Sequence, residues 1–356
     1  MKDDIIPLIA AWDGEGVITR YDRETGTWIF IALHSSLLGR PTGGTRMKVY
    51  PGLRDALRDA MRLAEGMTYK WAGLGSELGG GKAVLAISRP LSPMDRRGLM
   101  HRYGALLESL RGAFATGADL GTGPDDMSHV AEKTSYVLGV DTKTKDSTDP
   151  GPFTARGVLA GIRAAVRHRY GRDDLQGVRV LIQGLGGVGS PLAKMLAAAG
   201  AELLLCDVDL RRAERVARAV GGGQVVPAHQ AYNEACDVFS PCAVGGVLNE
   251  DTITSLGCQV VAGSSNNQLL EEDDADRLHK WGILYVPDYI VNAGGAMALN
   301  LMSHGVVDRD ELNHRVDSIG DAVAGILEEA SASQTTPLAT ARRRVDRLLS
   351  EHAAAS

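Results

Sequence analysis

The fold of the second half of the chain follows from the stretch Val178-Arg179-Val180-Leu181-Ile182-Gln183-Gly184-Leu185-Gly186-Gly187-Val188-Gly189. Its first six residues are mostly apolar, which predicts a buried strand. The next six fit the pattern G-x-G-x-x-G, and a helix over residues 191–199 and a second strand over residues 202–207 are predicted to follow. This strand–loop–helix–strand setting is typical of a doubly wound dinucleotide-binding domain of the Rossmann type. Glycine turns also join strands to helices in folds that bind nothing, so that alternative stays open here.

The glycine loop predicts how a dinucleotide is held. Glycine permits a tight turn and lets the N–H groups at the start of a helix reach a pyrophosphate. Asp207, eighteen residues after Gly189, is placed to accept hydrogen bonds from an adenosine ribose. Because an acid here repels a 2′-phosphate, we predict NAD as the cofactor, although Arg211 and Arg212 complicate this choice. The predicted loop contacts are Gly184, Leu185, Gly186, Gly187, Val188 and Gly189.

Three later segments continue the alternation of strands and loops expected of a doubly wound sheet. They cover residues 238–243, 259–263 and 283–288, and each ends in polar or small residues. In such sheets, ligands bind beyond the carboxyl ends of parallel strands. The segments 264–267 and 292–296 are therefore predicted to lie beside the nicotinamide.

In the first half of the chain, two lysines lie twelve residues apart in the stretch Gly66–Lys82. Residues 53–64 have apolar side chains at helical spacing, so Lys70 is predicted to lie near a helix end. Residues 83–87 indicate a short buried strand, and Lys82 is predicted where a loop of three glycines enters it. Three glycines allow the main chain to approach a ligand closely, but they also suit an ordinary turn with a solvated lysine.

The remaining elements of this half are predicted from periodicity. Residues 17–33 indicate a β-hairpin, residues 41–47 a second glycine-containing loop, and residues 93–112 an amphipathic helix. A short strand begins at residue 114 and leads to Asp119, which is flanked by glycines. Locally, Asp119 is also a candidate cap for a helix starting near residue 125.

Composition limits the class of protein. The chain has 356 residues, enough for two domains, and its net charge of −6 gives no case for nucleic acid or an acidic membrane surface. Its amino terminus lacks the apolar stretch of a signal peptide, and no run is long enough to span a membrane. The four cysteines lack paired metal-ligand spacing. We therefore predict a cytoplasmic protein with reduced thiols and no metal site.

The domain boundaries are predicted from a change in composition. Residues 140–153 are polar and show little periodicity, which is typical of a linker. We predict an α/β fold with a substrate domain over residues 1–145 and an NAD-binding Rossmann domain over residues 146–324. The C-terminal segment 325–356 is predicted to pack back on the first domain.

Taken together, these motifs resemble those of the leucine, valine and phenylalanine dehydrogenase family, over roughly residues 35–340. Members interconvert an L-amino acid and its 2-oxo acid, using NAD and releasing or taking up ammonia. The resemblance implies an active-site cleft between two domains and a homo-oligomer, either a dimer or an octamer. It is carried by Gly43-Gly44-Thr45-Arg46-Met47, Gly66-Met67-Thr68-Tyr69-Lys70, Gly79-Gly80-Gly81-Lys82, Asp119-Leu120-Gly121-Thr122, Gly184–Gly189, Asn266-Asn267-Gln268-Leu269 and Asn292-Ala293-Gly294-Gly295.

The resemblance also implies roles for individual residues. Lys70 pairs with the substrate carboxylate, Lys82 is the catalytic lysine, and Asp119 handles protons beside it. Burial and a neighbouring cation lower a lysine pKa, so the catalytic lysine is expected to lose its proton near neutral pH. Further predicted substrate-binding residues are Gly43, Gly44, Met67, Asn266, Asn267, Ala296 and Leu299. Further predicted cofactor-binding residues are Asp207, Thr154, Cys242, Ala243 and Asn292.

Departures from the family pattern bear on the substrate. Members with branched aliphatic substrates often carry leucine at Thr42, glutamate at Ala118, and valine at Ala296 and Leu299. The residues present here resemble the phenylalanine type, because Ala296 enlarges the pocket for the side chain. Oxidative deamination of an L-amino acid with a large, aromatic side chain is therefore predicted. A leucine or valine dehydrogenase and a non-catalytic NAD-binding relative are the alternatives.

Overall fold

The computed structural model describes residues 6–140 and 148–355, which form two compact units. The first contains the described residues up to Asp149, together with Leu299–Gly305 and the chain from Val345 onward. The second contains Pro150–Ala298 and Val306–Arg344. The segment predicted to pack back on the first domain is thus divided between the units at residue 344. Most of the predicted linker, residues 141–147, lies outside the described residues.

The first unit is built on a five-stranded mixed sheet in the order β1-β2-β4-β3-β5. The strands β1 and β2 form the predicted antiparallel hairpin, β2 pairs antiparallel with β4, and β3 runs parallel to both β4 and β5. The strands are β1 Gly16–Asp22, β2 Thr27–Ser35, β3 Pro41–Lys48, β4 Gly79–Ala86 and β5 Ala115–Ala118. The helices are α1 Ile6–Ala10, α2 Leu53–Gly73, α3 Pro93–Ser109 and α4 Pro124–Ala131.

Alternation along β2 and β4 explains the three layers of this unit. Phe30 and Val84 face α2, which presents Ala56, Leu57, Ala60 and Met61 to the sheet. Their sequence neighbours Ile29, Ile31 and Leu85 face the opposite side, where they pack against α3 and α4. Because successive side chains of a strand point to opposite faces, a strand buried on both sides is apolar at every position. All eight residues of β4 are buried.

The second unit contains a six-stranded parallel sheet in the order β11-β10-β9-β6-β7-β8. The order turns back between β6 and β9, which is the switch point of a doubly wound fold. The strands are β6 Arg179–Gln183, β7 Glu202–Cys206, β8 Gln224–Val225, β9 Val238–Pro241, β10 Val260–Val261 and β11 Leu284–Tyr285. The remaining helices are α5 Gly151–Tyr170, α6 Gly189–Ala198, α7 Leu210–Ala219, α8 Glu250–Ile253, α9 Asp274–Lys280, α10 Asp288–Val291, α11 Gly294–Ser303, α12 Arg309–Asp317, α13 Ile319–Ala332 and α14 Pro337–Ala355.

Two predicted loops of the first unit are strands in the structure. Gly43 and Gly44 lie within β3, and Gly79–Gly81 lie within β4. Glycine is unfavourable in an isolated strand, but here both segments are paired with strands on either side, and all of these glycines except the half-buried Gly44 are buried. Tertiary pairing therefore overrides the local preference for a turn.

None of the helices among residues 6–140 and 148–355 is long and apolar enough to cross a membrane.

Candidate active site

Three charged side chains form a buried cluster in the first unit. The Nζ atom of Lys82 on β4 lies 3.1 Å from Oδ2 of Asp119, which follows β5. The Nε atom of Arg46 on β3 donates to the same oxygen at 3.0 Å. Because β3 lies between β4 and β5 in the sheet, residues far apart in sequence become neighbours. Asp119 does not cap the following helix, since the amide of Gly123 at that helix start is hydrogen-bonded to another carboxylate, that of Asp126.

Burial and the neighbouring charges together set the charge states of Lys82 and Asp119. Removal from water and the nearby guanidinium of Arg46 lower the pKa of Lys82 below its ordinary value of 10.5, although Asp119 opposes the shift. Burial alone raises the pKa of Asp119, but the charges of Lys82 and Arg46 outweigh burial and hold that pKa well below its usual range. Asp119 is therefore a carboxylate, and Lys82 loses its proton more readily than a solvated lysine.

Arg46 is the member of this cluster whose role the sequence did not predict. Its guanidinium bridges two acids, because Nη1 donates to Asp59 at 3.1 Å while Nε holds Asp119. Tyr50 also donates to Asp59, at 2.7 Å. Arg46 occurs in the glycine motif of β3, but its partners are on α2 and after β5. The one sequence signal for a buried ion pair was an arginine in a short strand that also contains two glycines.

The predicted glycines of β3 leave room for the charged groups. A Cβ atom at Gly44 would lie 2.8 Å from Cβ of Asp119 and 3.3 Å from Nζ of Lys82. A Cβ atom at Gly43 would lie 3.0 Å from Cγ of Met67, which is itself buried. Only glycine at position 44 therefore lets the main chain of β3 lie this close to Lys82 and Asp119.

Lys70 occupies the last turn of α2, near the helix end as predicted, and only 8% of the residue is exposed. The helix approaches the glycines of β4 so closely that a Cβ atom at Gly80 would lie 2.6 Å from the carbonyl oxygen of Ala64. Next to Lys70, the buried Trp71 donates its indole N–H to the carbonyl oxygen of Thr42 at 2.8 Å. This hydrogen bond ties the helix end to the beginning of β3 and explains why a tryptophan suits this position.

The glycine loop of the second unit joins β6 to α6. Gly184 has a φ angle of +97°, a conformation that L side chains rarely adopt. A Cβ atom at Gly189, where α6 begins, would collide with the carbonyl oxygen of Gly184. At Gly186 and Gly187, by contrast, no other described group lies within 4 Å of a Cβ position. The two outer glycines are required by packing, and the two inner ones leave the backbone open to a ligand.

Asp207 lies just after β7 and is tied to this loop. Its Oδ2 atom accepts a hydrogen bond from the amide of Leu185 at 2.8 Å, and Oδ1 accepts one from Asp209 at 2.9 Å. Arg212 donates to both oxygens, at 3.2 and 3.3 Å. Burial opposes ionisation, but these hydrogen bonds and the charge of Arg212 lower the pKa of Asp207. The carboxylate is thus ionised and fixed beside the loop, as a ribose-binding acid requires.

Polar side chains collect after the carboxyl ends of β10 and β11. Asn292 donates to Oδ1 of Asn266 at 2.9 Å and to the carbonyl oxygen of Ser264 at 3.1 Å. Within the described part of the chain, the buried Oδ1 of Asn292 and Nδ2 of Asn267 have no hydrogen-bond partner. Unpaired buried polar atoms at this edge of the sheet are the kind of groups that a nicotinamide carboxamide satisfies. The residues present therefore fit a dinucleotide.

The remaining residues predicted to bind cofactor or substrate are spread over several elements. Ala243 packs against Gly184, whereas the backbone amide of Cys242 donates to the carbonyl oxygen of Gln183 at 2.7 Å. Burial raises the pKa of the Cys242 thiol, so the thiol is neutral. Thr154 donates to the carbonyl oxygen of Pro150 at 3.1 Å. Ala296 is half-buried on α11, and Leu299 of the same helix packs on Gly139.

The parallel sheet, its switch point and the glycine loop define a dinucleotide-binding protein of the Rossmann type. Comparison with protein families shows which dinucleotide-binding proteins this chain resembles. Residues 20–136 match the family model for the Glu/Leu/Phe/Val dehydrogenase dimerisation domain. Residues 204–346 match the model for glutamate/leucine/phenylalanine/valine dehydrogenases.

Individual relatives cover most of the chain. A leucine dehydrogenase from Bacillus cereus is 39% identical over 329 residues, which is 92% of this chain and 88% of that protein. An L-tryptophan dehydrogenase from Nostoc punctiforme is 41% identical over 315 residues, 88% of this chain and 87% of that one. A phenylalanine dehydrogenase from Bacillus thermotolerans is 38% identical over 333 residues, which is 92% of this chain and 86% of that protein. The crystal structure of L-tryptophan dehydrogenase from Nostoc punctiforme superimposes with a TM-score of 0.78 at 35% identity, covering 97% of this chain and 98% of that one.

The chain belongs to the glutamate/leucine/phenylalanine/valine dehydrogenase family. It is accordingly an amino-acid dehydrogenase, an oxidoreductase that depends on NAD(P). The prediction made from the motifs is confirmed at this level.

Proposed function

We propose that the protein oxidises an L-amino acid with a large apolar side chain to its 2-oxo acid and ammonia, reversibly, with NAD as the cofactor. The observation that carries this proposal is the buried pair of Lys82 and Asp119, whose charged atoms are 3.1 Å apart beside Arg46. A lysine with a lowered pKa is the group that such a reaction needs.

The chemistry proposed for the first unit is proton transfer. In the direction of deamination, neutral Lys82 takes a proton from the substrate ammonium group. Loss of hydride from Cα of the resulting amine then leaves an iminium ion. Water adds to the iminium carbon, and departure of ammonia together with one proton gives the 2-oxo acid. Asp119, held ionised by Arg46 and Lys82, stabilises the lysine once it becomes protonated.

Binding of the substrate carboxylate is assigned to Lys70. A lysine serves this role only while charged, whereas Lys82 serves its own role only while neutral in the deamination direction. Gly43, Gly44 and Met67 would form the main-chain wall beside the reacting atoms, since the glycines of β3 border the lysine–aspartate pair.

The bound dinucleotide would accept the hydride, and the second unit would hold it. Gly184–Gly189 would meet the pyrophosphate at the start of α6, and Asp207 would accept hydrogen bonds from the ribose. Asn292, Asn266 and Asn267 would satisfy polar groups at the nicotinamide end, with Thr154, Cys242 and Ala243 as further contacts. The ionised Asp207 disfavours a 2′-phosphate and supports NAD, and its pairing with Arg212 removes much of that arginine's attraction for one.

For the substrate we propose an aromatic side chain, because Ala118 and Ala296 are small where branched-chain enzymes often carry larger residues. Leu299 is proposed as a second pocket residue. A branched-chain substrate is the second candidate, since leucine dehydrogenases are 39% identical to this chain. We further propose a homo-oligomer in the cytoplasm, in keeping with the match to a dimerisation domain.

A spectrophotometric screen tests both parts of the proposal. The purified protein is incubated with each of the twenty L-amino acids and either NAD or NADP, and the appearance of the reduced cofactor is followed. The proposal expects the highest kcat/KM with L-phenylalanine or L-tryptophan and NAD. A strong preference for leucine or valine would refute the aromatic assignment. Failure to reduce either cofactor with any amino acid would refute the activity.

A further inference from the structure

Two histidines and a glutamate meet on the outer helices of the first unit. His101 is on α3, His129 is on α4, and Glu132 follows the last residue of α4. One ligand atom from each lies within 4.8 Å of those from the other two. None of these residues belongs to the lysine–aspartate cluster or to the cofactor loop.

We propose that this cluster is a binding site for a divalent transition-metal ion, with zinc as the expected ion. Imidazole nitrogen and carboxylate oxygen are ligands that zinc commonly takes in proteins. The proposal departs from the sequence prediction of no metal, which rested on cysteine spacing alone.

The distances suit a metal ion at the centre of the cluster. The Nε2 atom of His101 lies 3.0 Å from Oε2 of Glu132, and Nδ1 of His129 lies 3.1 Å from Oε1 of Glu132. Ligands about 2.0–2.1 Å from a tetrahedral zinc ion are separated by roughly 3.3 Å. Both His–Glu separations are within a few tenths of an ångström of this value, and the ligand atoms of the two histidines lie within 4.8 Å of each other.

The ring nitrogen Nε2 of His101 lacks a hydrogen bond to any residue that the structure describes. Its Nε2 atom is buried, and among the residues described it has no partner that meets hydrogen-bond geometry, although the carboxylate of Glu132 is close. A buried ring nitrogen without a hydrogen bond carries a desolvation cost that a metal–ligand bond would remove. The two imidazole rings lie edge to face, with their centroids 5.7 Å apart and an angle of 82° between their planes.

The surroundings leave access for the ion and for a water ligand. The side chains of His101, His129 and Glu132 are 25, 30 and 38% exposed. Arg97 approaches Glu132 at 3.8 Å, but its side chain is 58% exposed and can turn into solvent. Three protein ligands and an open fourth position are the arrangement of an exchangeable zinc site.

Such an ion would fasten α3 to the C-terminal end of α4. The start of α4 is already fastened, because Arg96 of α3 donates to Asp126 at 2.6 Å. Arg96 also holds the carbonyl oxygen of Gly121 at 2.7 Å, within the loop that follows Asp119. Metal binding would therefore stabilise the two helices that support this loop, without touching the reacting groups.

The test is metal binding by the full-length protein after removal of metals with a chelator. Zinc is titrated by calorimetry and by competition with a chromophoric chelator, and cobalt is used to record the absorption spectrum of the bound ion. The parent should bind one ion per chain, and its thermal unfolding midpoint should rise with zinc concentration as expected for a ligand of the native state. Cobalt should give the visible bands of a four-coordinate site.

Variants decide where the ion binds. His129→Ala and Glu132→Gln should each weaken zinc binding by more than the roughly 10–100-fold that loss of an outer hydrogen-bond partner costs at metal sites. The matched control is His314→Ala, an exposed histidine on α12, which should bind zinc like the parent. Circular dichroism checks that each variant is folded, and the surface position of Glu132 makes Glu132→Gln the milder change.

Three results would overturn the site. They are no saturable binding by the parent, binding unchanged in both His129→Ala and Glu132→Gln, or equal loss in the His314→Ala control. The second result would place the ion elsewhere, for example on the cysteines. Zinc binding is measured without substrate or cofactor, so these outcomes are independent of the proposed dehydrogenase activity.

Discussion

Two glycine-rich segments, Gly79–Gly81 in the first unit and Gly184–Gly189 in the second, meet different surroundings. The first is a strand buried between two neighbours, and each position where a Cβ would stand is already filled by other atoms. In the second, only the outer glycines are confined, and Gly186 and Gly187 face open space. Glycine therefore serves close packing of the protein against itself in the first unit, whereas in the second Gly186 and Gly187 leave the backbone accessible, as the proposed dinucleotide contact requires.

The charged groups of the two units also differ in their surroundings, since those of the first unit are enclosed and that of the second lies at an open loop. The side chains of Lys82 and Asp119 are only 4 and 14% exposed, and their charges compensate one another, with Arg46 as a third charge. Asp207 is instead fixed at the edge of an open loop by backbone amides and the exposed Arg212. The first arrangement suits proton transfer in a dry environment, and the second suits recognition of a hydroxyl-bearing ligand. The variants below test whether these roles are separate.

The largest effect is expected from Lys82→Ala. Removal of the proposed base should lower kcat by ~10²–10⁴-fold, while the affinity for NAD stays unchanged because the dinucleotide loop is untouched. Steady-state kinetics and a fluorescence titration with NADH measure the two quantities. The control is Lys280→Ala, an exposed lysine on α9. Activity of Lys82→Ala within about tenfold of the parent would refute its role.

The pH dependence of kcat/KM for deamination should follow the protonation of Lys82 in the first unit and not that of Asp207 in the second. Lys82 accepts a proton only when neutral, so kcat/KM should fall about tenfold per pH unit below its pKa and level off above it. Because burial and Arg46 lower that pKa, the change of slope should lie below pH 10.5. The pKa of Asp207 is lowered from 3.8, so NADH affinity should not follow the same curve. A parallel loss of NADH affinity would contradict the separation.

Alanine substitutions at Gly80 and Gly187 compare the two segments directly. A Cβ at Gly80 would press on the main chain of α2, so Gly80→Ala should lower the free energy of unfolding by about 1–3 kcal/mol or more. Gly187→Ala should leave stability within about 0.5 kcal/mol of the parent but weaken NADH binding. Thermal unfolding and NADH titration of both variants provide the measurement. If Gly187→Ala destabilised the protein and bound NADH normally, the open-loop interpretation would be wrong.

Asp207→Ser should change the choice of cofactor. Loss of hydrogen bonds to a charged group costs about 1.5–3 kcal/mol, and this loss should fall on NAD. NADP should gain, because repulsion disappears and Arg212 is released to meet a 2′-phosphate. The ratio of kcat/KM for the two cofactors is compared with that of Asp209→Ser, which keeps a residue suited to cap α7. A parent that already prefers NADP would show that Arg211 or Arg212 dominates.

The smallest and most selective change is expected from Ala296→Val. If Ala296 lines the side-chain pocket, the added methyl groups should exclude an aromatic ring and improve contact with leucine. Size changes in apolar pockets discriminate by ~1–3 kcal/mol, so the ratio of kcat/KM for phenylalanine over leucine should fall ten- to two-hundredfold. NADH affinity and unfolding temperature serve as controls. An unchanged ratio would remove Ala296 from the pocket and leave the dehydrogenase assignment intact.

The Rossmann unit and the family could both be predicted from the sequence. An apolar strand, the glycine spacing and Asp207 after the next strand are local features, and the structure places Asp207 on the loop as predicted. The resemblance to the family also predicted that Lys82 and Asp119 act together in the reaction. Their roles rested on motifs whose order and spacing the family fixes, and they stay predictions until they are measured.

How these residues come together could not be predicted from the sequence, because it depends on packing between elements that are distant along the chain. It turned the predicted glycine loops at residues 43–44 and 79–81 into strands, because pairing with neighbours outweighs glycine's preference for turns. It also brought Arg46 onto Asp119, 73 residues away. Local periodicity reports which face of an element is buried but not which element covers it. For the same reason no spacing rule joined His101 to His129, since each belongs to its own helix and packing alone sets the distance between them.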